Sequence, residues 1–137
     1  MSRTQRVIPR GIRNNNPLNI RIGNTWLGER DNPTDPAFEE FVSMEFGLRA
    51  AFIILRRYIR RYKKNTIASI ITTWAPATEN QTQKYIDIVS EKCGLAPDFP
   101  IDYEDEETMT QLVSAMAQVE CGQKIPMEKI VKGYKMA

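Results

Sequence analysis

The sequence predicts a mainly α-helical domain, α+β only through a small irregular or β element near its N-terminus. Three observations carry that prediction. Apolar residues recur at helical spacing through the middle and C-terminal parts of the chain, residues that start and stop helices bracket those stretches, and the segment up to Pro36 is instead rich in Asn, Gly, Pro and Arg. The 137 residues are enough for one domain with a hydrophobic core, and 42% hydrophobic with 26% charged residues are ordinary globular proportions. We expect a single domain over residues 1–137, with 1–10 as a polar N-terminal arm.

Taken in order, "NIRIGNTWLG" alternates over Asn19 to Ile22 and suggests a small hairpin, and "PAFEEFV" a short strand or the lead-in to a helix. Ser43 is an N-cap candidate with Glu45 in the first turn, where a carboxylate favours the helix dipole. The helix that follows spans about Met44 to Lys64, with Leu48, Phe52, Leu55, Ile59 and Tyr62 on one face and an arginine-rich face opposite. Asn65 or Thr66 caps "IASIITTW", which Pro76 ends. Thr78 or Asn80 caps "QTQKYIDIVSEKC", with Tyr85, Ile86 and Val89 inward and Gly94 at its end. Asp105 caps a helix to about Glu120, stopped by Gly122, and Pro126 opens a last short helix, "MEKIVKG".

Composition excludes several classes. The absence of histidine removes Ser-His-Asp and Cys-His triads and histidine-ligated metals. Cys93 and Cys121 form no C-x-x-C pair and read as free thiols of a reducing compartment. A net charge of +2 does not by itself indicate a nucleic-acid protein. The N-terminus has no apolar signal region and "AAFIIL" is too short to span a bilayer, so the expectation is a protein carried or released by others.

Glu120 stands apart from the other acids, most of which sit at caps or on solvated faces. Ala117, Met116 and Val113 precede it by three, four and seven residues, which places it on the apolar stripe at the helix C-terminal end. Burial and the negative end of the dipole both disfavour its charge. A carboxylic acid kept protonated in an apolar wall is what glycosidic cleavage requires of its proton donor. The alternative is a boundary residue paired with a cation of the long helix.

Several motifs occur in order: "RGIRNNNPLNIR" at Arg10 to Arg21, "W-x-G" at Trp26 to Gly28 and "GLRA" at Gly47 to Ala50. "WAP-x-x-EN-x-T-x-x-Y" at Trp74 to Tyr85 and "VECG" at Val119 to Gly122 complete the series. Together they resemble a family of small phage and prophage proteins described as structural, virion-associated or lysozyme-like, over Arg10 to about Gly133. More distantly, "NNPLNIR" and "FEEFVSMEFGLRA" are similar to the polar loop and the strand-to-helix passage of lysozyme-superfamily glucosaminidases and lytic transglycosylases. In those enzymes the helix bearing the catalytic Glu comes first. Here "LVSAMAQVECG" resembles that helix at the other end of the chain. The resemblance thus implies a circularly permuted lysozyme-like fold, which is physically accessible because chain termini often lie close together. Relatives usually read "E-N-G" where this chain has Glu120, Cys121 and Gly122.

What the resemblance implies is a peptidoglycan-degrading glycosidase of lytic transglycosylase or muramidase type. Glu120 would be its catalytic acid and base, and Asn15, Asn16, Asn19, Trp26, Glu79, Asn80 and Tyr85 its substrate-binding residues. Peptidoglycan and other virion proteins are the expected partners, and the location is the virion, or the host cytoplasm with release to the wall. Metals and organic cofactors are not implied. Glu45 has a structural reason for its position, Glu79 and Asn80 also read as caps, and nothing singles out Asp31 or Asp35 as a second carboxylate, so a one-acid mechanism is preferred. Trp26, Trp74 and Tyr85 read first as core or boundary residues, with sugar platforms as the functional alternative. "RRYIRRYKK" is a solvated face, a surface for anionic wall polymers, or the mark of a nucleic-acid-binding module. That module, which the charge does not favour, and a non-catalytic virion structural protein are the competing readings.

Overall fold

A computed structural model describes residues 7–76 and 78–137, apart from the side chains of Glu79 and Asn80; most of the expected polar arm lies outside it. The chain is mainly helical. In order the helices are α1 (Arg10–Arg13), α2 (Met44–Arg60), α3 (Ile67–Trp74), α4 (Glu79–Cys93), α5 (Glu106–Cys121) and α6 (Met127–Met136).

Local chemistry sets most of these limits. Ser43 Oγ accepts the Phe46 N–H at 3.4 Å, and Thr66 and Ser69 form a reciprocal capping box at the start of α3. Thr78 caps α4 and Asp105 caps α5. Gly94 and Gly122 end those two helices in the left-handed conformation that glycine adopts without a Cβ penalty. The long helix stops at Arg60, short of the expected Lys64, because Lys63 turns to φ 57° and the Lys64 N–H bonds back to Tyr58 O. Tyr62, expected inward, is exposed as a result.

α5 runs through the centre, packed by α4 and α6, with α2 against α6 and α3 against α4. Its Met109, Leu112, Val113, Met116 and Ala117 are buried and meet Leu48, Phe52, Leu55, Ile70, Ile71 and Val89 in one apolar core. Fully burying a side chain of this size contributes roughly 1.5–3 kcal/mol, so this stripe fixes how α5, and with it Glu120, is oriented.

The N-terminal segment has no such core of its own. The β element among the described residues is two isolated antiparallel bridges, Arg21 with Phe38 and Glu29 with Phe41. The alternating stretch therefore pairs with "PAFEEFV" and not within a local hairpin; Glu39 N donates to Ile20 O at 2.9 Å and Ile22 N to Ala37 O at 3.0 Å. Polar groups hold the segment together. Asp35 accepts from Arg10, from Asn14 Nδ2 at 2.9 Å and from the Ala37 and Phe38 amides, which keeps its carboxyl far below the usual range. Glu40 likewise ties the Thr34 and Asp35 amides to Arg30. α1, which the sequence pattern did not suggest, packs this network onto α5.

Candidate active site

Four asparagines crowd the turn after α1, and each has a different task. Asn14 holds Asp35. Asn15 sits at φ 52° and donates to Phe41 O at 3.1 Å. Asn16 is fully buried, donates to Ile20 O and Glu39 O, and accepts the Ile20 amide. Asn15 and Asn16, expected against substrate, thus have their amides occupied inside the protein. The fourth crosses to the other end of the chain: Asn19, at φ 54°, donates to both the backbone oxygen and the Oε1 of Glu120 at 3.2 Å. Asparagine suits such positions because it tolerates the left-handed conformation better than most residues.

Glu120 lies one residue from the end of α5, continuing the buried stripe into a half-buried position. Among the described residues it has no ion pair; its hydrogen-bond partner is Asn19, and Tyr85 of α4 lines the same hollow beside it. Burial pushes its pKa up, and Asn19 and the nearby Tyr85 hydroxyl pull it part of the way back. Tyr85 is itself buried, donates to Met116 O at 3.5 Å, and is held neutral by burial and by the charge of Glu120.

Two hollows share this carboxylate, and a third adjoins the larger of them through Asn19, Arg21 and Trp74, so that together they outline a groove. The central one, about 420 Å³, is lined by Glu120, Asn19, Arg21, Phe38 and Trp74 with Ala75 and Pro76. A second of about 180 Å³ shares Glu120 and Ala75 and reaches Gln81, Thr82 and Tyr85. A third of about 320 Å³ shares Asn19, Arg21 and Trp74 and extends to Asn24, Arg57 and Tyr58. Trp74 forms the wall between, its Nε1 donating to Leu18 O at 3.1 Å and its ring set edge-on to Tyr58 at 6.0 Å. Glu120 is the one carboxylate among the described lining residues.

The structure therefore brings Glu120, Asn19 and Tyr85 together, and leaves other expected residues elsewhere. Trp26 is buried in the core and does not line the groove. The side chains of Glu79 and Asn80 lie outside the described residues. Cys121, where the "E-N-G" pattern has Asn, is buried by Gly11 of α1 and is not among the residues that line the groove. Sequence reasoning did not assign Arg21, Phe38 and Arg57 to the site; its signals were the basic run for Arg57 and the alternation around Arg21.

No protein-family model matches the sequence. The chain is 40% identical over 131 residues to Protein P5 of Pseudoalteromonas phage PM2, an alignment that covers 92% of this chain and 80% of that protein. The chain belongs to the Protein P5 family. Membership gives it a bacteriophage relationship, and the relative's name carries no activity. Among the described residues no helix is long and apolar enough to cross a membrane.

Proposed function

We propose that this member of the Protein P5 family is a lysozyme-like glycosidase, permuted in chain order, that cleaves the glycan strand of peptidoglycan in the course of phage infection or release. The observation that carries the reading is a half-buried carboxyl with a raised pKa, without an ion-pair partner among the described residues, lining two adjoining hollows of one groove. Burial makes such a group harder to ionise, which favours delivery of its proton to a leaving oxygen.

The chemistry uses one acid. Glu120 protonates the glycosidic oxygen as the C–O bond breaks, and the N-acetyl oxygen of the substrate bonds to the anomeric carbon in its place. The carboxylate then takes a proton from the incoming nucleophile. A water there gives hydrolysis; the sugar's own C6 hydroxyl gives an anhydro end. Of Asp31 and Asp35, the two candidates for a second carboxylate, Asp35 is held in the Arg10–Asn14 network, and neither lines the groove. Trp74 offers an aromatic edge along the groove for sugar C–H faces.

Mass spectrometry of purified peptidoglycan digested with the protein and with Glu120→Gln tests the proposal. Cleavage by the first and loss of it in the second is expected; equal cleavage by both removes Glu120 from the mechanism. No cleavage by either turns the reading toward a virion structural protein.

A further inference from the structure

The groove is not electrically uniform along its length. Several arginines of the N-terminal segment and of the α2 end have carboxylate partners: Arg10 and Arg13 with Asp35, Arg30 with Glu40 and Arg60 with Glu104. Arg56 lies over the Tyr103 ring at 5.5 Å. The basic run of α2 is thus divided, part of it tied to the Tyr103 segment and Arg57 turned to the groove. Arg57 and Arg21 line the same hollow, and among the described residues neither has a carboxylate in ion-pair range. Arg21 is partly oriented, because its guanidinium lies over the Phe38 ring at 4.9 Å. Stacking of this kind uses the guanidinium face and leaves the N–H edge for a ligand. Asn24 adds an amide donor and acceptor at the same end. The opposite end, past Glu120, presents Gln81, Thr82 and Tyr85 and, among the described residues, no cation.

We propose that the Arg21–Asn24–Arg57 end of the groove is an oxyanion subsite, which takes a carboxylate or phosphate substituent of the polymer whose backbone passes Glu120. Two guanidinium groups and an amide around one hollow suit a planar or tetrahedral oxyanion, which they bind through charge-assisted, often bidentate hydrogen bonds. The hollow shares Asn19, Arg21 and Trp74 with the one beneath Glu120, so a single linear ligand can occupy both. The inference rests on the glycosidase reading for the identity of that polymer. On a glycan strand the carboxylates belong to peptide stems and the phosphates to attached wall polymers. The subsite makes the substituted strand, and not the bare glycan, the preferred ligand.

The test is calorimetric binding by Glu120→Gln protein to three strand preparations: peptide-bearing, phosphate-polymer-bearing, and stripped of both. Glu120→Gln keeps an acceptor for Asn19 and prevents turnover. One substituted strand should bind about tenfold more tightly than the stripped one, equivalent to about 1.4 kcal/mol, and less so as salt rises. Which strand gains identifies the oxyanion. Adding Arg57→Gln should remove the gain, whereas adding Arg61→Gln, at an exposed position outside the groove, should not. Equal affinity for all three strands, or a preference that survives Arg57→Gln, overturns the subsite. Cleavage by the unmodified protein is read separately. Arg57-dependent binding without cleavage supports the subsite and sinks the glycosidase reading. Cleavage without preference does the reverse, and absence of both overturns both.

Discussion

Glu39→Gln is expected to stabilise the protein at neutral and alkaline pH and to change little in acid. Glu39 is buried and faces Glu29 beneath the exposed turn at Gly23; Glu39 Oε2 and Glu29 Oε1 have no partner among the described residues. Burial first, and then the charge of Glu29, push the Glu39 carboxyl from 4.5 up to about 7. In the unfolded chain the group ionises near 4.5, while the folded protein keeps the proton until about 7. Across that window the unfolded state loses a proton that the folded state retains, so stability falls as pH rises and levels off above it. At about 1.4 kcal/mol per pH unit the interval corresponds to roughly 3 kcal/mol. The thin cover of the pair screens part of this and leaves about 1–2 kcal/mol. Glutamine mimics the protonated form: its amide can donate to Glu29 while its oxygen remains an acceptor. Urea unfolding of both proteins between about pH 4 and about pH 8.5 measures the difference. The curves should meet at the acid end and separate through the window, with Glu39→Gln the more stable. Parallel curves, or a less stable Glu39→Gln at high pH, would refute the account of a shared proton.

Four further outcomes follow from the geometry. Glu120→Gln should leave the thermal midpoint nearly unchanged and lower the cleavage rate by about 10²–10⁴, the usual contribution of a positioned acid; a smaller loss in a product assay would place the acid elsewhere. Asn19→Gly keeps the left-handed backbone but removes an interaction that lowers the Glu120 pKa, so the alkaline limb of the pH–rate profile should move to higher pH; an unmoved limb would show that Asn19 has no hold on the acid. Gly47→Ala should cost about 1–3 kcal/mol in denaturant unfolding, because its Cβ would collide with the Asn15 carbonyl; a neutral result would mean that the loop can move off α2 freely. Thr66→Ala should cost about 1 kcal/mol through loss of the capping box, and no change would remove that cap from the stability of α3.

The helices were legible because their signals are local. Ser43, Thr66, Thr78, Asp105, Gly94 and Gly122 each act at the helix end where the pattern places them. Where the pattern was silent, the boundary was missed: the basic run after Arg60 continues polar, with nothing to announce the left-handed turn at Lys63. A four-residue α1 is too short to show a helical period. In the site, Glu120 was visible because an acid interrupts an apolar stripe, and Tyr85 because it lies inward on α4. Which asparagine would meet the acid was not visible, since all four have the same chemistry and differ only in where the folded turn points them. Arg21 and Arg57 escaped for the same reason. Their place on the groove depends on a loop and a helix meeting at Trp74, a contact that no local spacing records.

Placing the acid at the end of α5 has a structural consequence. A carboxylate there meets burial and the negative end of the helix dipole, and neither is compensated within α5. Compensation comes from Tyr85 of the neighbouring helix and from Asn19, 101 residues away in sequence. Asn19 in turn has no apolar anchor of its own side chain; its position follows from Leu18 and Ile20 on either side and from the hydrogen bonds of Asn14, Asn15 and Asn16. Gly11 lets that turn approach α5 closely, since a Cβ there would come within 2.9 Å of Asn16 O and 3.0 Å of Cys121 Cβ. The protonation state of Glu120 is thus tied to a segment held by polar contacts.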